Sequence, residues 1–446
     1  MKPLLHRGAG NRLGIVAAPE HIPITLADVP GVFHASVLSP YGVSGGVGWD
    51  RDCAATAAIG EGLERYSAAA HPLPALANTR CIPKYTYDAF SLFSTEQQAD
   101  RLCPWQPSVP PTFIGATRLG DGTQVGVPRS LASLSDPQGE AIATSNGLAA
   151  GPTGADSIER GLQEVIERDA LMMAWLHGLA PNKLALPQAL SDRIAHLGAE
   201  VWVLDLTPAY SPWPVVAVCG TLPWRGRPRI GLGAACRPTY LAAIEKAFLE
   251  WSQATVFVGV QMAFDRLRAY ESANDVTTFE DHALYYSARP QDWMNVPFLQ
   301  GMETQPLPSK PDPQLTDPRT SELPTSDLRE QQNKERDEYP GSNTNAHGLM
   351  TTDATPDTPR NAQQRIDEAV GKLGQHNLSV LAIDVTIPEI RDLGVHVSRV
   401  LVPGLVSVNP DHRWPYLGGS AALSRLRFPN LDPHTAFPSP FPHPLG

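Results

Sequence analysis

Residues Asn146 to Ala170 read NGLAAGPTGADSIERGLQEVIERDA. A glycine-punctuated turn around Asn146, Gly147 and Gly151 gives way to a segment in which Ile158, Leu162, Val165 and Ile166 recur at the spacing of one helix face. On the opposite face Glu164 and Glu167 stand three apart and Arg168 follows four after Glu164, so two carboxylates project from one side with a cation in pairing range. An earlier stretch, Ala57 to Ser67 (AAIGEGLERYS), repeats the design. Ile59, Leu63 and Tyr66 form its apolar face, and Glu61, Glu64 and Arg65 the other. Either copy alone is ordinary solvated helix surface with local ion pairs. Two copies of Glu-x-x-Glu-Arg, each approached through glycine-rich chain, carry more weight. If the two helices face each other, four carboxylates converge, and so much like charge is tolerable around hard divalent cations that take oxygen ligands.

Both segments resemble the ATP site of the YcaO family, enzymes that activate backbone amides. The resemblance is carried by Glu61-x-x-Glu64-Arg65-Tyr66-Ser67, by Ser145-Asn146-Gly147-Leu148-Ala149-Ala150-Gly151 and by Glu164-x-x-Glu167-Arg168-Asp169. Gly231-Leu232-Gly233-Ala234, leading into Glu245-Lys246-Ala247-Phe248-Leu249-Glu250-Trp251-Ser252-Gln253, is similar to the family's third ATP-site helix. Asp384-Val385-Thr386-Ile387-Pro388-Glu389 and Arg399-Val400-Leu401-Val402-Pro403-Gly404 are similar to its C-terminal strand and loop. The family pattern is departed from at three places: Val47 stands within a stretch where Gly-Lys-Gly is common, Ala57 replaces a serine and Arg160 a glutamine.

The resemblance implies an azoline-forming cyclodehydratase of ribosomally made peptides, as in bacteriocin maturation, with ATP and Mg2+ as cofactors. A Cys, Ser or Thr side chain attacks the preceding amide, ATP phosphorylates the resulting oxyanion, and loss of phosphate leaves a thiazoline or oxazoline. Phosphorylation turns a poor leaving group into a good one, and the enzyme's share is positioning and electrostatics. Carried over position by position, Glu64, Glu164 and Glu167 are the implied Mg2+ ligands. Glu61, Arg65, Arg168, Glu250, Gln253 and Arg399 are the implied nucleotide-side residues, with Arg413 a further phosphate contact. The implied partners are the precursor peptide, a second copy of the chain, and a separate peptide-binding protein related to ubiquitin-activating enzymes, for which residues 1–40 leave no room. Whether a flavin dehydrogenase then oxidises the rings stays open.

The stretch Pro438-Ser-Pro440-Phe-Pro442-His-Pro444-Leu-Gly446 has proline at every second position. Proline fixes φ and removes a donor, so this is a stiff extended rod. Alone it reads as a tail or a ligand for an aromatic groove. Within the resemblance it matches the P-x-P-x-P tail of azoline-forming members, which reaches toward the active site and places Pro440, Pro442, Pro444 and Gly446 among the catalytic elements. Two alternatives stand beside this reading. The same ATP site could serve formation of a thioamide or a macrocyclic amidine, or Val47, Ala57 and Arg160 could mark a weakened scaffold that presents peptide to another enzyme. The proline tail favours cyclisation, and the retained glutamates speak against a scaffold.

The rest of the chain of 446 residues bounds the answer. A formal net charge of -11 argues against nonspecific nucleic-acid binding, which needs basic surface. No apolar run is long enough to span a membrane, and the N-terminus lacks a signal-peptide core, so a cytoplasmic protein is expected. Five cysteines without a C-x-x-C pair indicate neither a disulfide scaffold nor a zinc knuckle. Tyr41 to Gly48, YGVSGGVG, reads as a glycine-rich loop before the first helix, of the kind that brings N–H groups to phosphate. Glu200 to Leu206, Pro214 to Gly220 and Arg229 to Ala235 read as strands, and strands carry helices repeatedly, which predicts mixed α/β sheets layered with helices in a YcaO-type fold. The expected organisation is an N-terminal extension at 1–40, the core at 41–302, a proline-rich, polar insertion at 303–360 too poor in apolar residues to pack, the rest of the core at 361–437 and the tail at 438–446.

Overall fold

In the computed structural model of the protein the described residues are 5–12, 14–25, 27–76, 82–105, 110–135, 144–301, 304–308 and 361–446. Residues 309–360, nearly all of the expected insertion, lie outside them, as does Cys81. Gln305, inside the expected insertion, is bonded to the core: its N–H donates to the Lys183 carbonyl at 2.8 Å and its own carbonyl accepts from Ala185 N–H at 2.9 Å.

Among the described residues the strands form three sheets with antiparallel neighbours. The first holds β1 (Glu20–Ile22), β2 (Phe33–Ser39) and β3 (Gly42–Gly48) in that order. Residues 1–40, set apart above as an extension, thus supply two of its strands. The remaining strands are β4 (Phe113–Arg118), β5 (Gln124–Pro128), β6 (Leu148–Gly151), β7 (Asn182–Leu184), β8 (Glu200–Asp205), β9 (Val215–Trp224), β10 (Arg227–Cys236), β11 (Leu381–Asp384) and β12 (His396–Leu401). They make a sheet ordered β10-β9-β8-β7 and another ordered β5-β4-β11-β12-β6. Five longer helices accompany them: α1 (Arg51–Ala70), α2 (Gly154–Leu176), α3 (Tyr240–Ala263), α4 (Phe279–Ala288) and α5 (Ala362–Gln375). This is the expected mixed α/β fold.

Three strand-to-helix steps organise the core. β3 leads to α1, β6 to α2 and β10 to α3, and each helix starts on a side-chain cap. Asp50 accepts from Cys53 N–H at 2.6 Å, Thr153 from Asp156 N–H at 3.1 Å and Thr239 from Ala242 N–H at 3.2 Å. Such caps satisfy donors that the first helical turn leaves unpaired.

The glycines of Tyr41 to Gly48, expected in a loop, instead sit in β3, which pairs with β2 from Phe33↔Gly48 to Ser39↔Gly42. The reason is close packing. A Cβ on Gly46 would lie 2.2 Å from the Ala54 carbonyl oxygen and 2.3 Å from Ala58 N, so only glycine lets the alanine-rich face of α1 rest on the strand. Gly233 of β10 does the same for α3, where a Cβ would meet the Ala247 carbonyl oxygen at 2.2 Å.

The core runs through both faces of α2. Leu162, Val165 and Ile166 are buried as their spacing predicts, but Glu159, Gln163, Glu167 and Asp169 are buried as well. The charged face of this helix does not look out on solvent; it looks at α1, β10 and α3. Among the described residues no helix is long and apolar enough to cross a membrane.

Candidate active site

Counting from the caps shows how the three helices are phased. Glu61, Glu164 and Glu250 each stand eleven residues after Asp50, Thr153 and Thr239, and Glu64, Glu167 and Gln253 stand fourteen after them. The residue fourteen after each cap reaches the strand of the next step. Glu64 Oε2 accepts from Ala150 N–H of β6 at 3.1 Å, and Glu167 Oε2 accepts from Cys236 N–H of β10 at 3.2 Å. Gln253 of α3 faces Gly45 of β3, where an added Cβ would be 2.5 Å from its Nε2. The ring therefore closes on the first step. Glu61 joins it from within its own step, accepting from Gly45 N–H at 2.8 Å.

Cations thread between these acids. Arg65 pairs with Glu61 at 2.5 Å, and Lys246 with Glu250 at 3.0 Å. Arg168 stands between its two neighbours, with Nε 3.8 Å from Glu164 and Nη1 3.4 Å from Glu167. Arg399, in β12, is buried and donates to the carbonyls of Thr144 at 2.6 Å and Leu131 at 2.9 Å.

Positive charge falls short of what these five crowded carboxylates, one buried and four half-buried, need. Burial, followed by the charges of Glu164 and Glu61, holds the Glu64 carboxyl well above the usual range. Burial pushes Glu164 up to about 7 even with Arg168 and Arg399 opposing it. Glu167 is pushed up too, by burial first and then by Glu250 and Glu164, against the pull of Arg168. Glu250 goes the other way, because Lys246 and Arg168 outweigh its burial. Carboxylates raised together in one place are the electrostatic signature of a functional site.

The site's donor set fits a divalent cation with a polyanion. Its acceptors are carboxylate oxygens, and several of its buried polar atoms make no hydrogen bond: Arg399 Nε, Asn146 Oδ1, and the ion-paired Glu167 Oε1 and Arg168 Nη1, which face each other at 3.4 Å. Buried polar atoms of this kind ordinarily find partners. Among the described residues no three acidic, histidine or cysteine side chains form a ready-made metal cage. Glu61, Glu64, Glu167 and Glu250 are each held on a donor of their own.

Beside these acids opens a cavity of about 550 Å³ lined by Tyr41, Arg65, Asn146, Glu164, Arg168, Leu445 and Gly446, among others. The proline-rich stretch is pinned on its way there. Ser439 N–H donates to the Leu176 carbonyl at 2.7 Å, Trp175 Nε1 to the Phe441 carbonyl at 2.7 Å, Tyr286 Oη to the Pro442 carbonyl at 2.7 Å and His282 Nδ1 to the His443 carbonyl at 2.7 Å. The His282 and His443 rings stack at 3.7 Å. Of the four tail residues singled out in the sequence, Gly446 reaches the acidic cavity, Pro442 and Pro444 are buried, and Pro440 lines a separate cavity of about 910 Å³. Arg413 lines that second cavity too and is paired with Asp411 at 2.6 Å, so it does not join the carboxylates.

Sequence reasoning missed three participants. Lys246 could have been found, since it lies four residues before Glu250. Arg237 and the Cys236 N–H carry no local signal, because they come to Glu167 only through the fold of β10. The three departures from the family pattern have plain surroundings: Val47 is core, Ala57 is exposed, and Arg160 Nη1 donates to the Ala150 carbonyl at 2.9 Å.

Three capped helices converge carboxylates and arginines on a cavity, an arrangement whose charges suit a divalent cation together with a polyanion. The family profile described as the ATP- and Mg2+-binding YcaO cyclodehydratase matches residues 45–406, and the chain belongs to the YcaO family. ATP and Mg2+ are the cofactors of that family. An uncharacterised protein from the tfuA 3' region of Rhizobium leguminosarum bv. trifolii is 26% identical over 280 residues, covering 57% of this chain and 63% of that protein. A heterocyclase solved in complex with substrate and cofactor matches with a TM-score of 0.65 at 20% identity, over 99% of this chain and 57% of its own. YcaO from Methanopyrus kandleri, bound with AMPPCP and Mg2+, matches with a TM-score of 0.58 at 18% identity, over 91% and 88%. A chain of the E. coli microcin synthetase McbBCD complex matches with a TM-score of 0.56 at 13% identity, over 94% of this chain and 98% of its own, and that protein is part of a multi-protein complex. This chain thus spans less than two thirds of the length of the curated relative and of the heterocyclase.

Proposed function

We propose that the protein is an azoline-forming cyclodehydratase acting on Cys, Ser or Thr of a precursor peptide delivered by a separate peptide-binding protein. The observation that carries this reading is the course of the proline-rich stretch. It is pinned by α2 and α4, and its Leu445 and Gly446 border the cavity that Arg65, Glu164 and Arg168 also line. A stiff segment fixed beside the phosphate-side residues suits a reaction in which a peptide amide must be held in line with a phosphoryl group.

Glu64, Glu164 and Glu167 would hold Mg2+, with Glu61, Glu250 and Gln253 on the nucleotide side and Arg65, Arg168 and Arg399 opposing phosphate charge. Bound Mg2+ and ATP supply the phosphoryl group that makes the amide oxygen a leaving group. The chain's own residues do the positioning. Arg168 stays charged between Glu164 and Glu167, and Lys246 keeps Glu250 ionised.

The test is the mass of a precursor peptide after incubation with the full chain, its partner, ATP and Mg2+. The expected product has lost one water per ring formed. An exchange of sulfur for oxygen in a parallel reaction given sulfide would move the assignment to thioamide formation, and an unchanged mass with ATP consumed would reject ring closure.

A further inference from the structure

α2 carries a second polar stripe that meets the nucleotide site only at its last member, Glu167. Glu159, Gln163 and Glu167 follow one another at four-residue spacing, so they share a face, and all three are buried. At the places equivalent to Gln163, ten residues after the caps, α1 has Gly60 and α3 has Leu249. The ring alone therefore does not call for an amide here.

The stripe is fully connected. Arg365 of α5 donates to both oxygens of Glu159, from Nε at 2.6 Å and Nη2 at 2.7 Å. Gln163 Nε2 donates to Glu159 Oε1 at 3.2 Å, and Gln163 Oε1 accepts from Arg237 Nη1 at 3.1 Å. The same Arg237 nitrogen donates to the Cys236 carbonyl at 2.6 Å. Cys236 N–H in turn holds Glu167 Oε2, while Glu167 Oε1 accepts no hydrogen bond and faces Arg168 Nη1 at 3.4 Å. One oxygen is taken by the backbone and the other is turned to Arg168 on the side of the site.

We propose that Gln163 and Arg237 are positioning residues for Glu167: they fix the end of β10 against α2 so that Glu167 presents Oε1, and not both oxygens, to the cation. Partners of this outer kind orient a ligand without touching the metal, and their loss typically weakens metal affinity by about ten- to a hundredfold. The inference rests on Glu167 belonging to the ATP–Mg2+ site and is independent of which bond the enzyme makes.

The experiment is a titration of Mg2+ into the full chain with a non-hydrolysable ATP analogue, reading analogue binding by calorimetry. Gln163→Met conserves volume and removes both amide bonds. It is expected to raise the Mg2+ concentration for half-saturation about tenfold, with analogue affinity in chelator unchanged. Arg237→Met removes the other half of the same bond and is expected to do the same, which keeps the test alive should one variant fail to fold. Residues acting as one chain are not additive, so the double variant should raise the Mg2+ concentration for half-saturation by about tenfold and not a hundredfold. An unchanged Mg2+ dependence in folded single variants, or an additive double variant, would overturn the proposal. Failure to cyclise a peptide would not bear on it.

Discussion

Glu164 and Glu167 are carboxylates that folding holds partly protonated, and that has a consequence for stability. In the unfolded chain both ionise near the ordinary value of 4.5, whereas in the fold Glu164 rises to about 7 and Glu167 rises as well. A raised folded value means that the native state binds more protons over that interval, so stability is greatest below it and is lost as pH climbs through it. Glu164 alone accounts for on the order of 3 kcal/mol at the upper end. The unfolding midpoint of the nucleotide-free protein is therefore expected to fall between about pH 5 and pH 8, and a Glu164→Gln, Glu167→Gln variant to show a flatter profile. Identical pH profiles would place the protonated groups elsewhere. At this scale much was legible: Glu-x-x-Glu-Arg occurs twice, and i, i+3, i+4 spacing puts its charges on one face. Burial of that face was not legible, since nothing in α2's own sequence says that α1 and α3 will cover it.

The three site helices were recognised in the sequence by apolar spacing or family pattern, though not to their full length: Ala57 to Ser67 lies within α1 (Arg51–Ala70) and Glu245 to Gln253 within α3 (Tyr240–Ala263). β3 was not recognised. Its glycines have the composition of a loop, and only the approach of α1 to within contact of Gly46 shows why a strand must lack side chains there. The proline-rich stretch is the reverse case, with its stiffness plain in the sequence and its anchoring by Trp175, Tyr286 and His282 visible only in the fold. Removing Pro442 to Gly446 strips acceptors from Tyr286 Oη and His282 Nδ1. Each orphaned buried donor costs about 1–3 kcal/mol, so a lower unfolding midpoint is expected. Ring formation should fall by on the order of a hundredfold, since small misplacements of reacting groups cost that much, while affinity for the nucleotide changes little. Cyclisation at the native rate by the truncated protein would confine the stretch to a structural role.

Across the whole molecule, three strand-to-helix steps spread from Gly42 to Ala263 place their polar side chains at matching distances from their caps and hand the one fourteen residues on, Glu64, Glu167 or Gln253, to the next step's strand. The sequence shows the glutamate pairs, but the ring depends on which strand follows which around it, and long-range pairing of that kind leaves no periodic trace. Its closure brings Glu64 of α1 beside Glu164 and Glu167 of α2, the three carboxylates proposed above to hold a cation. Calorimetric binding of a non-hydrolysable ATP analogue to the full chain, with and without Mg2+, tests this directly when wild type is compared with Glu167→Gln. Wild type should bind more tightly with Mg2+, and Glu167→Gln should lose that gain by on the order of a hundredfold while keeping its fold. Equal Mg2+ enhancement in the two proteins would contradict a cation site built from these carboxylates.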